Sequence, residues 1–554
     1  MLRPTIVSRL ALLAGAAIAL PQLFACLDHP LKPVAYDKSQ EGKKGVSIAV
    51  NKDVDVVFVI DNSGSMAEEQ ANLSENFAAF VNVLEAPDVK ANYRLAITTT
   101  DNGNPRCPKA DTTPESGNFV LSSCLGRLPE FVFNGTDPPT DASYACSDYC
   151  TLAKADLDDK MKKTTTARDS TPAVRRWLEN IEGQTNLPDG VSTVDAFKCF
   201  GPQGVAGCGF ESHLESMYKA LVRADTDGEQ NFGFLRDTAI LSVVHLTDEL
   251  DCSHNDAHKA IFIDNKVFWN TPDDPIPTSA VCWRAGVACD GAGPDYTNCR
   301  PENYDEMGNP GAADGDAVLW PIQKYIDQLQ EIETAKKASD NGQEVLVAVI
   351  GGVPTNYPDT DIVYSDSGAD QAFLDDFGVG PGCKSAIGGT AMPPVRLRDW
   401  AKAFEVGGDP NLFSICSDDY SPALKAIADK IRDQIKPACM PSCIKDVDPT
   451  TEIVDESCTL IEENTATMMQ SPIPKCEKNG ANFVPPAGST VCYIALVDQA
   501  GLTATPDDDM SQQCIDEGWN LEFKLFRSGP APAGSTVTAV CELSALKSVD
   551  CPNL

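Results

Sequence analysis

The sequence predicts an α/β fold: a doubly wound, mainly parallel sheet with disulfide-rich insertions, followed by a small cysteine-rich β domain. Apolar, β-branched runs at 54–60, 239–246 and 345–350 are typical of strands buried on both faces of a parallel sheet. Helical patterns separate these runs, as at 73–84, where apolar residues recur every three or four positions. Strands that alternate with helices favour a sheet with helices on both faces.

We interpret residues 52–437 as the main domain, and its elements follow in order along the chain. Strands are expected at 54–60, 93–99, 239–246, 345–350 and 412–415. Helices are expected between Met66 and Leu84 and at 214–221, 317–338 and 421–435. The recurring order of strand and helix supports parallel pairing of the strands.

Two insertions, at about 101–202 and 251–315, interrupt this pattern and are rich in Pro, Gly, Asp and Cys. Structureless loops of this length are uncommon in compact domains, so we expect disulfides to fasten them as excursions from the sheet. The spacing of the cysteines leaves their pairing open. Beyond Pro437, eight more cysteines lie between short β-prone runs, which predicts a separate, mainly β domain over 438–554.

The amino terminus has the pattern of an export signal over residues 1–25. Arg3 and Arg9 precede a short apolar run at 10–20, which is too short for a transmembrane helix. Cys26 follows Leu-Phe-Ala, which resembles the lipobox of bacterial lipoproteins and implies acylation of Cys26. The residue after Cys26 is not aspartate, which favours the outer membrane. Residues 26–51 would then be a tether, and the alternative is an ordinary cleaved signal with Cys26 in a disulfide.

Cysteine content and charge support an exported protein. Without Cys26, the 21 cysteines leave an even number, and such density fits an oxidising compartment. The absence of any Cys-x-x-Cys pair argues against a zinc ribbon or a thioredoxin-like site. The net charge of −37 argues against nucleic acid as a partner and favours attraction of divalent cations.

A cluster of oxygen-bearing side chains follows the first predicted strand. Asp61, Ser63 and Ser65 stand at alternate positions of Asp-Asn-Ser-Gly-Ser-Met, and Gly64 relaxes the turn between the serines. Ligands of doubly wound sheets bind beyond the carboxyl ends of the strands. A carboxylate and two hydroxyls suit Mg²⁺, Mn²⁺ or Ca²⁺ better than zinc. The alternative is that Asp61 and Ser63 cap the following helix.

This Asp-x-Ser-x-Ser segment, between an apolar strand and a helix, resembles the metal-ion-dependent adhesion site of von Willebrand factor type A domains. The family also has an aspartate after a later strand, and Asp248 matches it at the end of the strand 239–246. The resemblance implies that Ser63 and Ser65 bind the metal directly, while Asp61 and Asp248 bind it directly or through water.

One position departs from the family. A threonine normally stands in the glycine-rich loop before the next helix, whereas this loop, 207–212, contains Glu211 and no threonine. Glu211 is therefore a tentative oxygen ligand that would make the cation less attractive to an incoming carboxylate. The alternative is that Glu211 only favours the start of the helix.

The resemblance implies a cell-envelope protein that binds a partner protein through the cation, with an acidic side chain of the partner replacing a metal-bound water. Enzymatic activity is not expected. Two alternatives are a structural envelope protein with a degenerate site and a metal-dependent hydrolase. For a hydrolase, the spacing of His254 and His258 lacks the glutamate of a metalloprotease helix, and His245 is expected to be a hydrogen-bonded core residue.

Overall fold

The structure is a computed structural model. It describes residues 43–48, 52–86, 89–107, 112–271, 273–339, 345–386, 389–405, 410–435, 438–464, 469–479, 482–527, 535–552 and 554. The predicted signal at 1–25 and the lipidation site Cys26 lie outside these residues. None of the helices in the described part of the chain is long and apolar enough to cross a membrane.

The described residues form short and long strands along the whole chain. They are β1 Lys43–Ile48, β2 Asp53–Ile60, β3 Asn92–Thr99, β4 Val132–Phe133, β5 Thr140–Asp141, β6 Leu178–Ile181, β7 Gln184–Thr185, β8 Ile240–Leu246, β9 Val287–Asp290, β10 Asp295–Pro301, β11 Leu346–Gly351, β12 Tyr364–Ser365, β13 Cys383–Lys384, β14 Thr390–Ala391, β15 Leu412–Ser414, β16 Ala438–Cys439, β17 Cys458–Asn464, β18 Met469–Ile473, β19 Glu477–Asn479, β20 Asn482–Val484, β21 Val491–Leu496, β22 Glu522–Arg527 and β23 Ser535–Glu542.

The α-helices lie mainly between the strands of the first 437 residues. They are α1 Ala67–Asn76, α2 Ala78–Leu84, α3 Tyr144–Ser147, α4 Thr193–Phe200, α5 His213–Asp225, α6 Ala280–Gly286, α7 Ile322–Ser339, α8 Gln371–Phe377, α9 Val395–Lys402, α10 Ser421–Gln434, α11 Gln512–Asp516 and α12 Lys547–Asp550.

A mostly parallel sheet of seven strands forms the centre of an α/β structure. Its spatial order is β15-β11-β8-β2-β3-β6-β7. Neighbouring strands from β15 to β3 pair in parallel, whereas β6 pairs antiparallel with both β3 and β7. From β2, the chain first adds strands on one side and then returns to β8 on the other. The sheet order therefore reverses between β2 and β8.

Successive side chains of the buried strands point to opposite sides, so both faces of this sheet are apolar. Helices cover both faces. On one face, Phe58 of β2 packs edge-on against Phe77, Phe80 and Phe197, whose ring centroids are 5.7, 5.7 and 5.5 Å away. The helices α1, α2, α4 and α10 contribute to this core. The side chains of Val57 and Val59 belong to the opposite core, which α5, α7 and α9 cover.

The five strands predicted for the main domain are all present, but the first insertion was misinterpreted. Residues 101–202 were expected to be an excursion from the sheet. They instead supply β6, β7 and α4, which extend the central sheet and cover one face. The strand β6 is four residues long, so its pattern was too short to separate from the surrounding loop.

Ten disulfides join the 20 cysteines after Cys26. Three hold the first insertion, two hold the second, one joins Cys383 to Cys416, and four lie within the carboxyl-terminal region. The expectation that disulfides fasten both insertions is met. The bridge Cys107–Cys208 also ties the first insertion to the loop before α5.

The region after Pro437 is mainly β, with a four-stranded sheet of order β1-β23-β17-β18 and a three-stranded sheet of order β16-β22-β21. The strand β1 comes from residues interpreted as the tether, and it pairs antiparallel with β23 from Lys43–Glu542 to Ile48–Val537. The prediction of a tether over all of 26–51 is therefore wrong for Lys43–Ile48. The sequence KKGVSI of β1 has only two β-branched or large apolar side chains, which hid its strand character.

Candidate metal centre

The candidate centre lies at the point where the sheet order reverses. The parallel register places Ile60, the last residue of β2, opposite Leu246, the last residue of β8. The Asp61 backbone N–H donates to the Leu246 carbonyl oxygen at 3.0 Å, which holds the two strand ends side by side. Both predicted carboxylates, Asp61 and Asp248, therefore enter the same crevice from adjacent strands.

The loop after β2 forms a tight turn stabilised by its own side chains. The Ser63 backbone N–H donates to Asp61 Oδ1 at 2.8 Å, and the Ser63 and Ser65 hydroxyl oxygens lie 3.4 Å apart. Neither Asp61 nor Ser63 caps α1, since Met66 occupies the cap position without a side-chain hydrogen bond. The structure therefore contradicts the alternative that Asp61 and Ser63 cap α1.

Asp248 lies close to this loop, and the Ser65 hydroxyl acts on its carboxyl to lower the pKa, against the larger effect of burial. Its backbone carbonyl accepts from the Met392 N–H at 2.9 Å, which holds the residue after β8 in place. Asp248 is buried, and its Oδ1 has no hydrogen-bond partner within the described residues. An unpartnered carboxylate oxygen here is costly unless another group, such as a cation, binds it.

Glu211 reaches the same crevice from the loop before α5. The Thr100 hydroxyl, at the end of β3, donates to its Oε2, while its Oε1 is buried and has no partner in the described part of the chain. The N-terminal N–H groups of α5 are capped by other residues, since Leu214 N donates to Asp251 Oδ1 and Glu215 N to Ser253 Oγ. Glu211 therefore faces the crevice and does not cap the helix.

Two acidic residues that the sequence interpretation did not assign to the site also contribute to its electrostatics. In addition to burial, the negative charge of Asp61 raises the pKa values of both Glu69 on α1 and Glu249 next to Asp248. Glu69 Oε2 is a third buried carboxylate oxygen without a partner among the described residues. Glu69 stands four residues after Ser65, one helical turn on, so this spacing could have revealed it.

The pKa values of the carboxyls reflect this crowding. Burial raises the pKa of Glu69 to about 7 and that of Glu249 to about 8, and the charge of Asp61 adds to both. Burial, followed by repulsion from neighbouring acids, raises the pKa values of Asp248 and Glu211 well above their usual range. Ionised acids in this crevice therefore require a compensating positive charge.

One positive charge comes from the protein itself. His213 is buried between two carboxylates, with Nε2 3.7 Å from Asp61 Oδ2 and Nδ1 3.7 Å from Asp251 Oδ1. Burial alone would lower the pKa of His213, but the flanking carboxylates of Asp251 and Asp61 outweigh it and raise the pKa to about 9. The Thr247 hydroxyl donates to Asp61 Oδ2 at 2.6 Å, and this hydrogen bond fixes the orientation of the Asp61 carboxylate.

The crevice is held by hydrogen bonds to the loop that precedes α5. The Gln70 side chain donates to the carbonyl oxygens of Asp61 and Gly204 and accepts from the N–H groups of Gln203 and Gly204. The Gly207 N–H donates to the Asn62 carbonyl at 2.8 Å. The two loops are therefore fixed against each other.

The residues present fit a divalent cation that prefers oxygen. The crevice offers hydroxyls from Ser63 and Ser65 and carboxylates from Asp61, Asp248 and Glu211. Among the described residues, buried oxygens of Asp248, Glu211 and the neighbouring Glu69 have no hydrogen-bond partner. Such donors match Mg²⁺, Mn²⁺ or Ca²⁺. The acidic surroundings would strengthen binding of a cation.

The other histidines of the described residues, His245, His254 and His258, do not form a second centre. His245 is buried against Trp400, neither ring nitrogen has a hydrogen-bond partner in the described chain, and burial lowers its pKa to about 3. The expectation of a hydrogen-bonded core histidine is right about burial and wrong about hydrogen bonding. His254 is buried against Phe262, whereas His258 pairs with Glu306.

A separate acidic cluster lies in the carboxyl-terminal region. Ligand oxygens of Asp498, Asp508 and Asp509 lie within 4.8 Å of one another. Backbone N–H groups, including those of Thr503 and Leu502, hydrogen bond to Asp498 and lower its pKa to about 2. These hydrogen bonds account for the buried carboxylate of Asp498 as part of a turn.

No family model matches the chain, and no curated protein matches it. Among solved structures, two of the pilus adhesin SpaC from Lactobacillus rhamnosus GG, one in an open conformation, are similar at 11% identity. Their TM-scores are 0.27 and 0.26, and the match covers 90% of this chain and 40% and 41% of theirs. The chain thus spans about two fifths of their length, and TM-scores this low assign neither a fold nor a function.

Proposed function

We propose that this chain is an exported envelope protein whose main domain is of the von Willebrand factor type A kind and binds a partner protein through a divalent cation. Asp61, Ser63, Ser65 and Asp248 would hold the cation, with Glu211 in the place of the family's threonine. The observation that carries the proposal is the pairing of the two strand ends, in which the Asp61 N–H donates to the Leu246 carbonyl oxygen at 3.0 Å and so brings the loop of Asp61 beside that of Asp248.

The order of the strands supports this proposal. Numbered in chain order from β2, the strands β2, β3, β6, β8, β11 and β15 lie in the spatial order 3-2-1-4-5-6. This is the order of a doubly wound sheet, in which ligands bind at the carboxyl ends of the strands where the order reverses. Asp61 and Asp248 follow the two strands at this reversal.

Each residue would have a distinct role at the cation. Ser63 and Ser65 would supply neutral oxygens, and Asp61 would be oriented by Thr247 and balanced by His213. Asp248 and Glu211 would supply the carboxylate oxygens that lack protein partners. The cation would offer its remaining positions to an oxygen of the partner, and we expect an Asp or Glu side chain there. The nearby Glu69 and Glu249 reduce that attraction and favour tight retention of the cation.

Attachment to the outer membrane through Cys26 is the second part of the proposal. The ten disulfides contain all 20 cysteines apart from Cys26, so no cysteine of this chain remains to pair with Cys26. This count disfavours the alternative of an intrachain disulfide. Mass spectrometry of the amino-terminal peptide should show an acylated cysteine, and Cys26→Ser should release the protein from the membrane fraction. An unmodified Cys26 in membrane-extracted protein would refute this part.

Titration calorimetry with Mg²⁺, Mn²⁺ and Ca²⁺ tests the metal centre directly. We expect one cation per chain, with affinity reduced about 10- to 100-fold or more by Ser63→Ala or Asp61→Ala. The control is Ser74→Ala, a buried serine of α1 whose hydroxyl has no partner among the described residues. No cation binding by the native protein would favour the structural alternative.

A pull-down from envelope extract, with and without EDTA, tests the binding function. Partner capture should require the cation and should be lost with Asp61→Ala, while Ser74→Ala retains it. Capture that persists in both EDTA and Asp61→Ala would show that binding does not use this crevice. A cation-dependent turnover of peptide or ester would instead support the hydrolase alternative.

A further inference from the structure

A long cleft lies on the face of the sheet covered by α5 and α7, apart from the residues of the metal centre. Its volume is about 770 Å³, which is within the range of small-molecule sites. Lining residues on α7 run from Lys324 to Lys336. Twelve residue steps along a helix correspond to about 18 Å, so the cleft suits an extended ligand.

The floor of the cleft is apolar. Leu221 and Leu235 line it and are almost fully buried, and Ile332 on α7 is half-buried. Tyr218 and Trp320 add aromatic faces near the start of α7. Aliphatic segments of a ligand would therefore leave water on entering the cleft, which favours binding.

The cations around the cleft are already engaged by protein groups. Arg236 pairs with Asp53 and Asp55, and Arg168 pairs with Asp225. Lys324 binds Glu215, and Lys336 Nζ donates to the carbonyl oxygens of Arg236 and Ala239. These contacts leave little positive charge for an anionic ligand.

Four exposed carboxylates stand on the rim of the cleft, those of Asp237, Asp314, Asp327 and Glu331. Within the described residues none of them lies within 4 Å of a cationic nitrogen, although Asp327 accepts a hydrogen bond from the Gln323 amide at 2.6 Å and Asp237 acts on Lys336 through its charge. The side chain of Gln328 also lines the cleft, and its Oε1 is buried without a hydrogen-bond partner in the described chain. Hydrogen-bond acceptors therefore surround the apolar floor of the cleft.

The protein itself shows that an ammonium fits this environment. Lys324 Nζ lies 4.2 Å from the ring centroids of both Tyr218 and Trp320 and 5.2 Å from that of Tyr325. Aromatic faces attract ammonium groups through cation–π interaction. Lys324 already occupies these rings, so the cleft offers a ligand its rim carboxylates for ammonium groups and its aliphatic floor for methylenes.

We propose that the cleft between α5 and α7 binds an extended aliphatic polyamine, with its ammonium groups at the rim carboxylates and its methylenes on the apolar floor. The proposal is independent of the metal centre, since none of the residues that would hold the cation lines this cleft.

Titration calorimetry of the whole protein with spermidine and with a series of α,ω-diaminoalkanes tests the proposal. The salt should be about 0.15 M, where interactions beyond about 8 Å are screened, because the chain as a whole is acidic. We expect one site per chain, and affinity that rises about two- to fourfold per added methylene as the chain covers the floor. Diols of the same lengths should not bind.

Two variants locate the site. Glu331→Gln combined with Asp237→Asn should weaken spermidine binding about five- to tenfold, as expected for the loss of two partly exposed ion pairs. The control, Asp264→Asn, removes an exposed carboxylate that does not line the cleft. Absence of binding, equal binding by the diols, or equal weakening by the control would each overturn the proposal.

Discussion

His213 and Asp61 form a buried pair behind the candidate metal centre, with His213 Nε2 3.7 Å from Asp61 Oδ2. Both side chains are fully buried, so their charges are poorly screened. Asp251 lies against the other ring nitrogen and is itself bound by Arg396 at 2.9 Å. The imidazolium thus links a carboxylate of the crevice to a buried ion pair that supports α5.

This arrangement predicts a pH dependence of stability in the metal-free protein. The pKa of His213 is raised to about 9 from an ordinary value of 6.5. Its contribution to stability is therefore complete below pH 6.5 and is lost as pH rises through about 9. The loss should be at most about 3 kcal/mol, since one pKa unit corresponds to about 1.4 kcal/mol.

Denaturant unfolding in EDTA at several pH values measures this effect. Glu69 and Glu249 also lower the stability of the folded protein as pH rises, because their pKa values are raised in the folded state. His213→Gln isolates the histidine. The stability difference between native protein and His213→Gln should shrink from pH 6.5 to pH 9, and a constant difference would contradict the charged state assigned to His213.

Asp248→Asn should have opposite effects in the absence and presence of the cation. In EDTA it removes a carboxyl whose pKa is raised by burial and by neighbouring acids and which therefore lowers stability at neutral pH, so the Tm should stay the same or rise, by about 2–4 °C for each kcal/mol gained. With Mg²⁺ or Ca²⁺, the variant should lose the cation-dependent rise in Tm that the native protein shows.

The control for this variant is Asp498→Asn. The pKa of Asp498 is lowered to about 2 by backbone N–H groups, so its charge stabilises the folded chain without a cation. Asp498→Asn should therefore lower the Tm equally with and without cation. If Asp248→Asn retained the full cation-dependent rise in Tm, Asp248 would not be a ligand of the cation.

The central sheet was largely predictable because its strands are fully buried. The runs that became β2, β8 and β11 are mostly apolar on both faces, interrupted within the predicted runs only by Asp55, Ser242 and His245, and this pattern distinguishes them from the half-buried strands of an exposed sheet. The strands β1 and β6 were missed because their sequences are short and only partly apolar. Their structure depends on pairing with β23 and β3, which are distant or irregularly connected in sequence.

The loop sequence predicted the serines and aspartates of the site, whereas the surrounding charges emerged only from the fold. Asp61 and Asp248 were found because each follows an apolar strand. His213 and Thr100 contact the site from α5 and from the end of β3, and no spacing in the sequence connects them with Asp61. Such contacts follow from the order of the strands, which local patterns do not specify.

Glu211→Gln tests whether this glutamate replaces the threonine of the family. The amide can still accept from Thr100 but no longer repels Asp61 and Glu249, so metal-free stability should rise slightly. Cation affinity should fall about 10-fold or more, because one charged ligand is lost. Calorimetric titration of the variant measures this.

Glu115→Gln is the matched control. Glu115 also accepts from a strand-end hydroxyl, that of Thr99, and burial raises its pKa to about 7. Its charge is not among those acting on Asp248. Cation affinity should be unchanged in Glu115→Gln, and equal losses in the two variants would indicate only a general effect of charge.

Gly207→Ala should disturb the metal centre without removing a ligand. A Cβ atom at Gly207 would lie 2.7 Å from the Asn62 backbone oxygen, in the loop that carries Asp61 and Ser63. The loops are fixed by the hydrogen bond from Gly207 N to that oxygen, so the turn must shift, at a cost of about 1–3 kcal/mol. We expect weaker cation binding and a lower Tm. Gly209→Ala provides the control two residues away, since its Cβ would meet no atom within 4 Å. If both substitutions leave cation affinity unchanged, contact between these loops does not position the ligands, and the geometry inferred for the crevice must be revised.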